Sequence, residues 1–155
     1  MKKLKLYSFV KIVTFSLFFV MTVVVFWQVV ARYFLKMPLS WSTELSKILM
    51  VWMTFMGITM AFYEKAHPNI TFLVDKFPEG ARKTLDFLIN IMLLIGFVVI
   101  AYYGIRLCMK TQNKVTTVLK MPMCYEYAAL PVSMIMMSIG ILKEFADRFG
   151  KGKEE

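Results

Sequence analysis

The sequence predicts an all-α integral membrane protein with four transmembrane helices, both termini cytoplasmic, forming one membrane domain over residues 1–155. Three observations carry this. Of the 155 residues 59% are hydrophobic and the mean hydropathy is +0.62, more apolar than a soluble domain of this length. Apolar runs recur at about residues 9–33, 40–63, 85–107 and 125–145, and each is near the ~20 residues that cross ~30 Å of hydrocarbon. The basic residues behind the formal charge of +9 are spread over every segment between the runs. Such dispersal marks membrane topology rather than a nucleic-acid surface, so the bilayer is the expected partner and nucleic acid is not.

Span one, 9–33, follows Lys2, Lys3 and Lys5 and so imitates a signal peptide. Its apolar core, residues 12–31, is too long for a signal h-region and lacks a clear small-x-small cleavage site, so it is expected to remain as an anchor. Span two, 40–63, follows a turn favoured by Pro38. Ser40 is expected to cap its first free N–H groups, and Glu44 lies near the positive end of the helix dipole. Span three, 85–107, carries Asp86 and Asn90 near its start. Span four, 125–145, tolerates Pro131 close to its beginning. With both termini inside, twelve Lys and Arg face the cytoplasm and seven face outward, as the positive-inside rule favours.

Between spans two and three, Ile70, Leu73, Val74 and Phe77 follow helical spacing, with Asn69 as a candidate cap. Two readings stay open: a short amphipathic helix in the membrane interface, or a cytoplasmic extension of span three. Lys36-Met37-Pro38 recurs as Lys120-Met121-Pro122, each before a span that carries an acid, Glu44 or Glu126. A duplicated two-helix unit would give this echo, and so would coincidence in a methionine-rich chain, which is the favoured reading.

The candidate residues cluster at the first hairpin. Trp27, Trp41 and Trp52, with Tyr33, are placed to anchor near membrane–water boundaries. Gln28 is the deep polar group of span one, and its amide can hydrogen-bond another helix. Arg32 and Glu44 flank the turn, so a salt bridge is expected to lock the hairpin or reach a partner; the plainer alternative is that each snorkels to water. Arg106 and Glu126 hold similar places on the second hairpin. Asp86 is shallow enough to pair with Arg82 and Lys83 rather than relay protons. His67, the sole histidine, lacks companion ligands. Cys108 and Cys124 lie near the outer face, where a disulfide is chemically open, but there is no Cys-x-x-Cys pair and they are read as free thiols. No phosphate loop, dinucleotide loop or nucleophile motif is present, so no enzyme and no cofactor is expected. Spans one and two show no proline break and no span a deep acid, unlike a self-sufficient transporter.

Taken in order, these residues resemble the small membrane subunit of tripartite ATP-independent periplasmic (TRAP) transporters. The matching positions are Trp27-Gln28-Val29, Arg32-Tyr33, Pro38, Trp41, Glu44, Trp52 and Gly57, then Ala61 and His67. Gly104, Thr116-Thr117-Val118-Leu119, Pro122 and Leu130-Pro131 continue the pattern. The chain departs from it in having Thr43 before a single acid, and Pro68 and Thr71 after the histidine. The resemblance implies a bacterial inner-membrane protein that scaffolds a large transport subunit. It also implies help in docking a periplasmic substrate-binding protein during sodium-driven uptake of an organic acid, of sialic acid or C4-dicarboxylate type. Sodium coupling is then expected in the large subunit, with no cofactor in this chain. Two other readings are a stand-alone small transporter and a membrane thiol oxidoreductase using Cys108 and Cys124.

Overall fold

In the computed structural model, which describes residues 5–64 and 79–151, the chain is helical, with helices α1 (Lys5–Tyr33), α2 (Ser40–Tyr63), α3 (Glu79–Thr111), α4 (Cys124–Tyr127) and α5 (Ala129–Lys151). Among the described residues four segments are long and apolar enough to cross a membrane: Tyr7–Tyr33, Ser40–Tyr63, Phe87–Thr111 and Cys124–Lys143. The expected spans are therefore present. The fourth is divided, because Pro131 has no N–H to offer the carbonyl four residues back, and Ala128 separates α4 from α5. The Ile70–Phe77 pattern and His67 lie outside the described residues.

Among the described residues, α1 packs on α2 alone, α2 on α5, and α5 on α3. The covered positions of α1 include Val10, Thr14, Leu17, Met21, Val24, Gln28 and Ala31. Their alternating three- and four-residue spacing is the seam that lets one helix lie along another at a shallow angle. Opposite that seam Ile12, Phe15, Phe19 and Phe26 are exposed. The central core joins α2, α3 and α5: Ala101, Met134 and Met137 are buried, with Phe55, Phe62 and Phe97 packed against them. The Phe62 and Phe97 rings meet edge to face at 5.6 Å, an arrangement the ring quadrupoles favour.

Small residues set the closest approaches. A Cβ at Gly104 would stand 2.6 Å from Leu130 Cδ2 and 3.0 Å from Pro131 Cδ, and one at Gly140 would stand 2.7 Å from Tyr63 Cε1. Four buried hydroxyls bond locally: Ser42 donates to the Leu39 carbonyl, Thr59 to Phe55, Ser133 to Leu130 and Ser138 to Met134, whereas the buried Ser46 hydroxyl has no partner among the described residues. Apolar surroundings favour such local pairing.

Candidate functional site

The first turn closes tightly. Phe34 N–H bonds the Val30 carbonyl at 2.8 Å, and Met37 N–H reaches back to Ala31 at 3.1 Å. Lys36 makes this possible by adopting a left-handed backbone, φ 53°, a region that L-residues seldom occupy. Pro38 then leads into α2. Ser40 does not act as the cap: it is already helical, Leu39 occupies the cap position, and no side-chain cap bond forms.

The second turn, residues 112–123, is a miniature hairpin. Val115 and Pro122 form an antiparallel bridge, Thr116 N–H bonds the Met121 carbonyl at 2.9 Å, and Met123 N–H bonds Lys114 at 2.8 Å. Lys120 is left-handed, φ 50°, so the two Lys-Met-Pro segments share an unusual backbone as well as a sequence. The tip points its donors at Glu44. Glu44 Oε1 accepts from the Thr117 hydroxyl and from Val118 N–H at 3.0 Å, and Oε2 accepts from Leu119 N–H at 2.9 Å. Successive amides aimed at one anion form a nest, whose partial positive charges suit a carboxylate.

This geometry corrects the expected Arg32–Glu44 salt bridge. Both oxygens of Glu44 are taken by the loop, and Arg32 is exposed. The Arg106–Glu126 analogy also fails. Arg106 lies over the Tyr102 ring, 5.5 Å from its centroid, while Lys47 Nζ pairs with Glu126 Oε1 at 3.5 Å. Trp52 Nε1 donates to the Tyr125 carbonyl at 2.8 Å. Glu44, Lys47 and Trp52 thus rise along one side of α2 and fasten the first hairpin to the second. A shallow cleft between the hairpins is lined by Glu44, Lys47, Ile48, Thr116, Thr117, Met123 and Glu126.

The remaining sequence candidates divide. Gln28 Nε2 donates to Thr43 Oγ1 at 2.9 Å and joins α1 to α2. Trp27, Tyr33 and Trp41 are exposed, at 52%, 72% and 39%, and stand apart from the Glu44 cluster. At the other end, Tyr7 OH donates to Glu64 Oε1 at 2.6 Å, and Tyr63 OH to the Met136 carbonyl at 2.5 Å. Lys47, Thr117, Tyr125 and Tyr63 were missed as site residues. The one usable signal was that Glu44 and the Thr116–Leu119 segment both belong to the family pattern.

Comparison with known proteins decides the class. Residues 21–151 match the family model described as tripartite ATP-independent periplasmic transporters, DctQ component. The chain belongs to the DctQ family. That family is a membrane subunit of a transporter, not an enzyme, and the thiol-oxidoreductase reading falls with it. A DctQ protein is a multi-pass component of the inner membrane, in keeping with the four apolar helices. Among relatives, the sialic acid TRAP transporter small permease protein SiaQ of Vibrio cholerae is 35% identical over 94 residues, 61% of this chain and 54% of that one. The ectoine TRAP transporter small permease protein TeaB of Halomonas elongata is 24% identical over 117 residues, 74% of this chain and 61% of that one. The sialic acid TRAP transporter permease protein SiaT of Haemophilus influenzae is 28% identical over 126 residues, 81% of this chain but 20% of that one. This DctQ chain spans about half the length of its SiaQ relative.

Proposed function

We propose that this chain braces the large transport subunit of a TRAP transporter and supplies part of the surface on which a periplasmic binding protein docks, during sodium-driven uptake of an organic acid. One observation carries the reading. Most of this chain aligns with one fifth of the SiaT permease, which supports a unit of this kind working beside a much larger permease. The fold suits a brace: the Glu44 nest, the Lys47–Glu126 pair and the Trp52 bond fix two hairpins at one end.

That same end suits docking. It carries seven basic residues, Arg32, Lys36, Lys47, Arg106, Lys110, Lys114 and Lys120, against two carboxylates, Glu44 and Glu126. Both carboxylates are already engaged within the chain. The surplus positive charge favours an acidic surface on the partner and speeds its arrival. The positive-inside count favours this end in the periplasm and both termini in the cytoplasm. Sodium coupling belongs to the large subunit. Sialic acid is the proposed substrate on the strength of the SiaQ and SiaT names, while the TeaB name shows that the family also carries other solutes.

The test is reconstitution in vesicles under an inward sodium gradient. Uptake of labelled sialic acid is expected only when this chain, the large subunit and the binding protein are all present. Flux from this chain alone would establish the stand-alone transporter instead.

A further inference from the structure

We infer that Cys108 and Cys124 form an intramolecular disulfide that closes the base of loop 112–123. The two residues are the only cysteines of the chain. Cys108 lies in the last turn of α3, and Cys124 opens α4. The Cys108 thiol donates to the Cys124 carbonyl oxygen at 3.7 Å, which brings the two cysteines side by side. This closeness does not depend on a covalent bond. The Val115–Pro122 bridge and the Met123–Lys114 hydrogen bond hold the legs of the loop side by side. Disulfides form where the backbone already presents two sulfurs to each other, and fail where it must move to do so.

The inference rests on the proposed orientation, which puts the loop in the oxidising periplasm, where disulfides persist. The oxidant is the disulfide of a periplasmic dithiol oxidase. Cys124 is partly exposed and Cys108 buried, so Cys124 as thiolate attacks the oxidant's disulfide. This gives a mixed disulfide and releases one oxidant thiolate. Cys108, deprotonated, then attacks the Cys124 sulfur and expels the second oxidant thiolate. The chain loses two protons and two electrons, and the oxidant's disulfide becomes a dithiol. The bond spans a separation of sixteen residues and staples the loop that presents Thr117, Val118 and Leu119 to Glu44. It is a structural bond within a transporter subunit, with no turnover implied.

The experiment uses the full chain in cell membranes, quenched in acid, denatured and treated with a maleimide-tagged polymer. Without reduction no polymer should attach; after reduction two should. Cys108→Ser and Cys124→Ser should each take one polymer without reduction. A parallel chain carrying Cys108→Ser, Cys124→Ser and Lys36→Cys reports orientation through its reaction with an impermeant maleimide added outside. Two free thiols in the natural chain, with position 36 labelled from outside, would overturn the inference. If position 36 reacts only from inside, the orientation itself is wrong. The pairing is then judged on the purified chain treated with oxidised glutathione: loss of both thiols with the mass of two hydrogens upholds it, and two surviving thiols overturn it.

Discussion

Glu44 lies four residues past the first helical residue of α2, where the helix dipole already favours a negative charge. Its partners are nevertheless donors 73 to 75 residues further along. Removing the carboxylate should therefore show in the loop rather than in the hairpin that contains it. Glu44→Ala is expected to speed amide hydrogen exchange at Val118 and Leu119, with Glu44→Gln intermediate because an amide keeps one acceptor oxygen. Unchanged exchange at both amides would mean that the carboxylate does not hold the loop. A second expectation concerns Arg32. Because Glu44 is occupied by backbone donors, Arg32→Ala and Glu44→Ala should act independently, adding within about 0.5 kcal/mol in a double-mutant cycle on stability. The sequence made Glu44 conspicuous as an acid beside a proline turn. It could not reveal the partner, since no local rule encodes amides a whole hairpin away, and the nearest cation was the obvious candidate.

At the scale of elements, hydropathy suffices for the helices because the bilayer imposes it: unpaired backbone groups are too costly in hydrocarbon. The bounds of α2 coincide with the expected 40–63, and α3 runs past 85–107 at both ends. What hydropathy does not encode is which helix meets which. That is set by side-chain size at the crossings, and the glycines show it. Gly104→Ala would push a methyl onto the rigid Pro131 ring as well as the mobile Leu130 end. Gly140→Ala would press on a Tyr63 ring whose hydroxyl is tied to Met136. Each should cost about 1–3 kcal/mol, the usual range for overpacking, measured by thermal unfolding in detergent. Trp52→Phe keeps an aromatic side chain, though a smaller one, and loses the donor to Tyr125, and should cost on the order of 1 kcal/mol from the hydrogen bond.

The whole molecule is unevenly built. Three helices share a core, while among the described residues α1 rests on α2 alone. Phe15, Phe19 and Phe26 on its far side are more than half exposed. Replacing Phe19 and Phe26 by Ala should leave the detergent-solubilised chain as stable as before, yet reduce its co-purification with the large subunit. Full retention of the large subunit would place the contact on another face. The four spans were legible in the sequence because each is a continuous run. The order of neighbours, α1 to α2 to α5 to α3, was not, because it depends on glycines and hydroxyls that look alike in any apolar helix.

The long reach of the Glu44 nest has a consequence for the order in which the protein is made. Residue 44 leaves the ribosome 75 residues ahead of Leu119, a wait of about 4–15 s at roughly 5–20 residues per second. Through that interval the first hairpin is in place and its carboxylate has no loop to meet. At the rim it can wait hydrated, whereas at the bilayer centre an unpaired Asp costs about 2.5–3.5 kcal/mol during insertion. The nest thus forms only once the second hairpin is under way, and its position at the membrane edge lets the carboxylate wait until Leu119 has been made.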